Sequence, residues 1–140
     1  MVTALWSWPM SEERKERTCS RLGEMVEVLD RYLDEDVNVL YQDTNGEIDT
    51  SPLAQDWARV AKSAEEVGEV IDAFMGLTGQ NPRKGLYGDM DHLLDELADV
   101  ALTGLYTIQH FTKDKERTLD ALFERAHHHL VRVGLENREI

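Results

Sequence analysis

Glu66 with Glu69, and Glu96 with Asp99, repeat one acid-x-x-acid spacing at an offset of 30 residues. Residues three apart share a helix face, so each pair sets two carboxylates side by side wherever its segment is helical. Like charges at this spacing disfavour a helix unless a partner offsets them. Lys62, four residues before Glu66, is the only base on that side of its segment. Four facing carboxylates without Cys or His form a hard, all-oxygen set, which suits Mg²⁺, or Mn²⁺ in its place, over zinc. Such an ion can lower the pKa of bound water, and a spare carboxylate can accept the proton. The competing reading is a solvated acidic face. Against it, Val70, Ala73, Val100 and Thr103 flank the acids where a freely solvated face would carry long charged residues.

The elements that position these acids read as helices, with no sustained strand alternation. A first helix is expected over about 11–33, capped by Ser11, with Cys19, Leu22, Met25, Val26, Leu29 and Leu33 recurring at three and four. Residues 34–50 form a connector with an Asn-Gly turn at Asn45. Ser51 then Pro52 starts a second helix, 52–76, with Trp57, Val60, Ala64, Val67, Ile71, Phe74 and Met75 expected to face the core. A glycine-rich loop follows. Asp89 caps a third helix, 89–111, with Leu94, Leu97, Ala101, Leu105 and Ile108 inward, and Asp114 caps a fourth, 115–133, stopped at Gly134. The expected fold is all-α, a four-helix bundle in one domain over 1–140 behind a tail at 1–10. The acid pairs point roughly 150° away from the apolar stripes of their own helices.

Composition narrows the function classes. The formal charge is -13, from 28 acidic and 15 basic residues. Such a surface offers neither nucleic-acid polymers nor anionic membranes the basic face they need. A lone Cys19, no signal-like N-terminus and no long apolar run lead to the expectation of a cytoplasmic protein without disulfides.

Read with their flanks, Glu65-Glu66-Val67-Gly68-Glu69 and Asp95-Glu96-Leu97-Ala98-Asp99-Val100, the pairs resemble the MazG-like, all-α nucleoside triphosphate pyrophosphatases, a group that includes dimeric dUTPases and dCTP pyrophosphatases. The resemblance covers about 57–108. It implies a MazG-type bundle completed by oligomerisation as a homodimer or homotetramer. It also implies Mg²⁺ ligation by Glu66, Glu69, Glu96 and Asp99, and hydrolysis of a nucleoside triphosphate to the monophosphate and pyrophosphate. Glu65 and Asp95, about 100° away, are weaker candidates for an outer or base role. Lys62 can reach phosphate or simply pair with Glu66. Arg83 and Lys84 form a basic spot in the loop that can clamp phosphate oxygens or stand in solvent. Trp57 or Tyr87 can stack on a nucleobase, although Trp57 also fits the core, and Trp6 and Trp8 can cover a subunit interface. The stretch from Gln109 to Lys113 lacks the basic cluster or Asn that many members carry there.

Two other readings compete. Glu124-x-x-His127, with Asp89-x-x-His92 as an approximate second motif, has the spacing of a ferritin-like di-metal carboxylate protein, but that fold needs two complete motifs plus two further glutamates. His127, His128 and His129 point about 100° apart on a helix and cannot share an ion. The other rival is a non-catalytic acidic helical oligomer or regulator.

Overall fold

The structure is a computed structural model that describes residues 12–35, 44–47 and 51–135. Expectations on Ser11, Trp6, Trp8 and most of the 34–50 connector lie outside the described residues. Four helices follow in order: α1 Glu12–Glu35, α2 Pro52–Thr78, α3 Met90–Thr112 and α4 Lys115–Arg132. The described residues form an all-α four-helix bundle, and no helix is long and apolar enough to cross a membrane.

The helix ends follow from their caps. Ser51 accepts from the Ala54 amide with Pro52 at the first helical position, Asp89 accepts from His92, and Asp114 accepts from Arg117. Gly79 closes α2 in the left-handed conformation at φ 67°. Lys113 closes α3 the same way at φ 53°, an unusual conformation for a residue with a side chain.

Helix α3 is the hub: it packs along α2 and also against α1 and α4, while α1 packs on α4. Gly23 permits the close approach of α1 to α4, because a Cβ there would lie 3.2 Å from Leu119 Cδ1. Gly76 does the same for the loop after α2. A Cβ on it would lie 2.5 Å from the Tyr87 ring, which lies over that glycine. Helices α1 and α2 meet through side chains, with Arg59 reaching from α2 to Asp30 and Asp34 on α1.

The direction of the apolar stripes differs from expectation. On α2, Trp57, Val60, Val67, Ile71 and Phe74 are all exposed, and on α3 Leu94 and Leu97 are exposed while Leu105 is buried. The polar face of α2 turns inward instead, burying Arg59 and Glu66. Among the described residues only Val26, Ala73, Leu93 and Leu105 form a buried apolar core, against nineteen exposed large apolar side chains. Periodicity identified the stripes correctly. It carried no information on whether they face the chain's own core.

Candidate metal centre

Turning the polar faces of α2 and α3 toward each other gathers the acids. Glu66 is 5% exposed, and one carboxylate oxygen from each of Glu66, Glu96 and Asp99 lies within 4.8 Å of the others. Glu69 stands at the exposed edge beside them. Local desolvation, a hydrogen bond with Glu66 and the negative charges of Glu66 and Glu96 hold the Glu69 carboxyl above its ordinary range, against the pull of Lys62. Lys62 Nζ donates to Glu66 Oε1 at 2.8 Å and lies 3.1 Å from Glu65 Oε2. The hydrogen bond to Glu66 is the main cause that pushes Lys62 well above its usual value. His92 Nδ1 sits 3.5 Å from Glu96 Oε1.

The donor set fits a hard divalent ion. All converging atoms are carboxylate oxygens, they come from two helices, and one ammonium faces four carboxylates, so negative charge is in surplus where Glu66 is already out of water. A buried carboxylate is costly unless a cation or hydrogen bonds accompany it.

The remaining expected site residues divide. Lys62 is in the cluster. Lys84 Nζ donates to Asp72 Oδ1 at 2.8 Å, one helical turn beyond Glu69, and the side chain of Arg83 is exposed in the same loop. Tyr87 packs on Gly76, about two turns beyond Glu69, and donates to the Asp72 carbonyl at 3.1 Å. Trp57 is nine residues from Glu66, hence about 180° around α2, and is 66% exposed on the outer face. Neither aromatic ring is brought to the acidic cluster. A cavity of about 370 Å³ opens beside it, with Leu33, Ala58, Ala61 and Tyr106 as its less polar wall and Arg59, Lys62 and Glu65 as its polar rim. Glu124 and His127 are both exposed on α4, away from any second motif.

A second polar cluster lies toward the other end of α2, and sequence reasoning missed it. Arg59 Nη2 donates to Asp34 Oδ1 at 2.8 Å and to the Asp30 carbonyl at 3.1 Å. Lys113 Nζ donates to Asp34 Oδ2 at 2.7 Å and Asp30 Oδ2 at 3.1 Å, and His110 Nε2 lies 2.8 Å from Asp56 Oδ1. Burial raises Asp34, but hydrogen bonds from Lys113 and Arg59 outweigh it and leave the carboxyl below its ordinary range. The available signal was Asp30 and Asp34 at i,i+4 on α1, a like-charge pair that calls for a cation. No protein-family model, curated protein or solved structure matches the chain.

Proposed function

We propose that the chain is a Mg²⁺-dependent nucleoside triphosphate pyrophosphohydrolase of the MazG-like kind, converting a (d)NTP and water to the (d)NMP and pyrophosphate. One observation carries the reading: buried Glu66 converges with Glu96 and Asp99 from a second helix while the apolar stripe of α2 and Leu94 and Leu97 of α3 face outward. A merely solvated acidic face would have the opposite orientation.

Glu66, Glu96 and Asp99, with Glu69 at the edge, would hold Mg²⁺, which supplies charge neutralisation for phosphate and activation of water. Glu69 keeps its proton more readily than an ordinary glutamate, and once a cation removes the crowding it is free to accept one. Lys62 both lines the cavity and pairs with Glu66, so it joins a nucleoside in the cavity to phosphates at the acids. The wall of Leu33, Ala58, Ala61 and Tyr106 is the surface for a base, in place of Trp57 and Tyr87. Lys84 and Arg83 would take the far phosphates. The outward stripes of α2 and α3 are the face of a homodimer or homotetramer, since exposed apolar patches of this extent mark interaction surfaces.

Pyrophosphate release from a panel of triphosphates, with and without Mg²⁺, tests the activity. Metal-dependent release by the wild type and its loss in Glu66→Gln are expected. No release from any triphosphate, or equal release by Glu66→Gln, sinks the reading. Sedimentation at micromolar concentration tests the assembly, and a 16.0 kDa monomer overturns that part.

A further inference from the structure

The polar cluster at the α1 side of the molecule has the makings of a different site. Asp30 is 4% exposed, and its Oδ1, 3.5 Å from Arg59 Nη2 in a buried ion pair, has no hydrogen-bond partner among the described residues. It lies 3.7 Å from His110 Nδ1, and Asp34 Oδ1, which also accepts from Arg59 Nη2 at 2.8 Å, lies 3.5 Å from the same nitrogen. Ligand bonds of about 2.1 Å at a tetrahedral ion put neighbouring ligand atoms roughly 3.4 Å apart, so these separations match a shared ion.

The tautomer agrees. A carboxylate accepts, so His110 donates to Asp56 from Nε2, and Nδ1 keeps a lone pair that faces the two aspartates and lies 3.4 Å from Lys113 Nζ. A carboxylate that fixes the far nitrogen of a ligating imidazole is the usual outer support of a metal histidine. Lys113 Nζ touches Asp30, Asp34 and His110 together. Its side chain is about half exposed and starts from a left-handed cap, so it can withdraw into water without disturbing the core. With Lys113 in place, Asp30, Asp34 and Asp56 exceed Arg59 and Lys113 by one negative charge. Without it they exceed Arg59 by two, which a divalent ion neutralises.

We propose that Asp30, Asp34 and His110 form a binding site for a first-row divalent ion of the Zn²⁺ class, with the ammonium of Lys113 competing for the ion's position. The imidazole separates this site from the all-oxygen Mg²⁺ cluster, because nitrogen ligation favours zinc-like ions over magnesium. The proposal does not rest on the nucleotide reading.

The test is a calorimetric titration of the full chain with Zn²⁺, made in a Glu66→Gln, Glu69→Gln background so that the other cluster does not contribute. One bound ion per chain is expected. His110→Gln and Asp34→Asn should each weaken binding by about 10 to 100-fold. Lys113→Gly, which also suits the left-handed cap, should tighten it at least about tenfold by removing a competing charge. Circular dichroism on each variant reports the fold, and Lys113→Gly keeps the test decisive if His110→Gln unfolds. No binding up to millimolar Zn²⁺ overturns the proposal. So does binding unchanged by Lys113→Gly and His110→Gln, which puts the ion elsewhere on the chain.

Discussion

The Glu66 cluster and the Asp30 cluster both draw carboxylates around a lysine ammonium, yet they settle their charge differently. At Glu66, Lys62 pairs with Glu65 and Glu66 while Glu69, Glu96 and Asp99 lie close by, and the crowding shows in the raised Glu69 carboxyl. At Asp30, two cations serve the aspartates, and the carboxyl of Asp34 is lowered despite its burial. The first cluster lacks positive charge in its resting arrangement. The second lacks it only when Lys113 leaves. A count of acids does not distinguish the two, whereas the sign of the shift on the outermost carboxyl does.

The contrast can be broken most sharply at Arg59. Arg59→Ala leaves Asp30 buried beside a half-exposed lysine, and removing one member of a buried charge network costs about 3–5 kcal/mol. Denaturant unfolding should show that loss, and a change below about 1 kcal/mol would mean the network is not structural. Glu66→Gln acts in the other direction. Stability in the absence of divalent ions should hold, because Lys62 is free to turn to water. Mg²⁺-dependent pyrophosphate release should fall by more than about 100-fold, beyond the 10 to 100-fold typical of groups that only support metal ligands.

Acid separates the clusters by sign. Asp34 titrates below its ordinary value of 3.8 in the folded chain, so its contribution is complete above that pH and is lost as the pH falls through the lowered value. Glu69 titrates above its ordinary 4.5, so the folded state binds the extra proton and loses stability as the pH rises from 4.5 through the raised value. Melting curves from pH 3 to pH 7 should therefore flatten at the acid end in Asp34→Asn. In Glu69→Gln, they should rise slightly near neutrality without Mg²⁺, and that rise should vanish when Mg²⁺ is added. Matching pH profiles for the two variants would erase the distinction. The smallest effect is expected at Lys84. Its pair with Asp72 is half exposed, so Lys84→Ala should leave the unfolding midpoint close to that of the wild type, while KM for a triphosphate rises severalfold and kcat holds.

The sequence made the helices legible for local reasons. Ser51 with Pro52, Asp89 and Asp114 are start signals that act through their own backbone neighbourhood, and each helix end falls within about two residues of its expected position. The acid pairs were legible because their spacing repeats. Direction was not legible: Val67, Ile71 and Phe74 mark an apolar face on α2, but spacing within one helix is silent on what lies across from it. The Asp30, Arg59 and His110 cluster was hidden for the complementary reason. Its members are 29 to 80 residues apart and of types that ordinarily sit in water, so only the approach of α1, α2 and α3 reveals that they are buried together.

In the assembly proposed above, covering the outward stripe of α2 is a second-order event, so maturation of newly made chains slows with dilution, and their apparent stability depends on concentration. A subunit with a disabled acidic cluster but an intact stripe would still enlist functional copies. Co-expressed in excess, it would act as a poison subunit wherever neighbouring sites depend on one another.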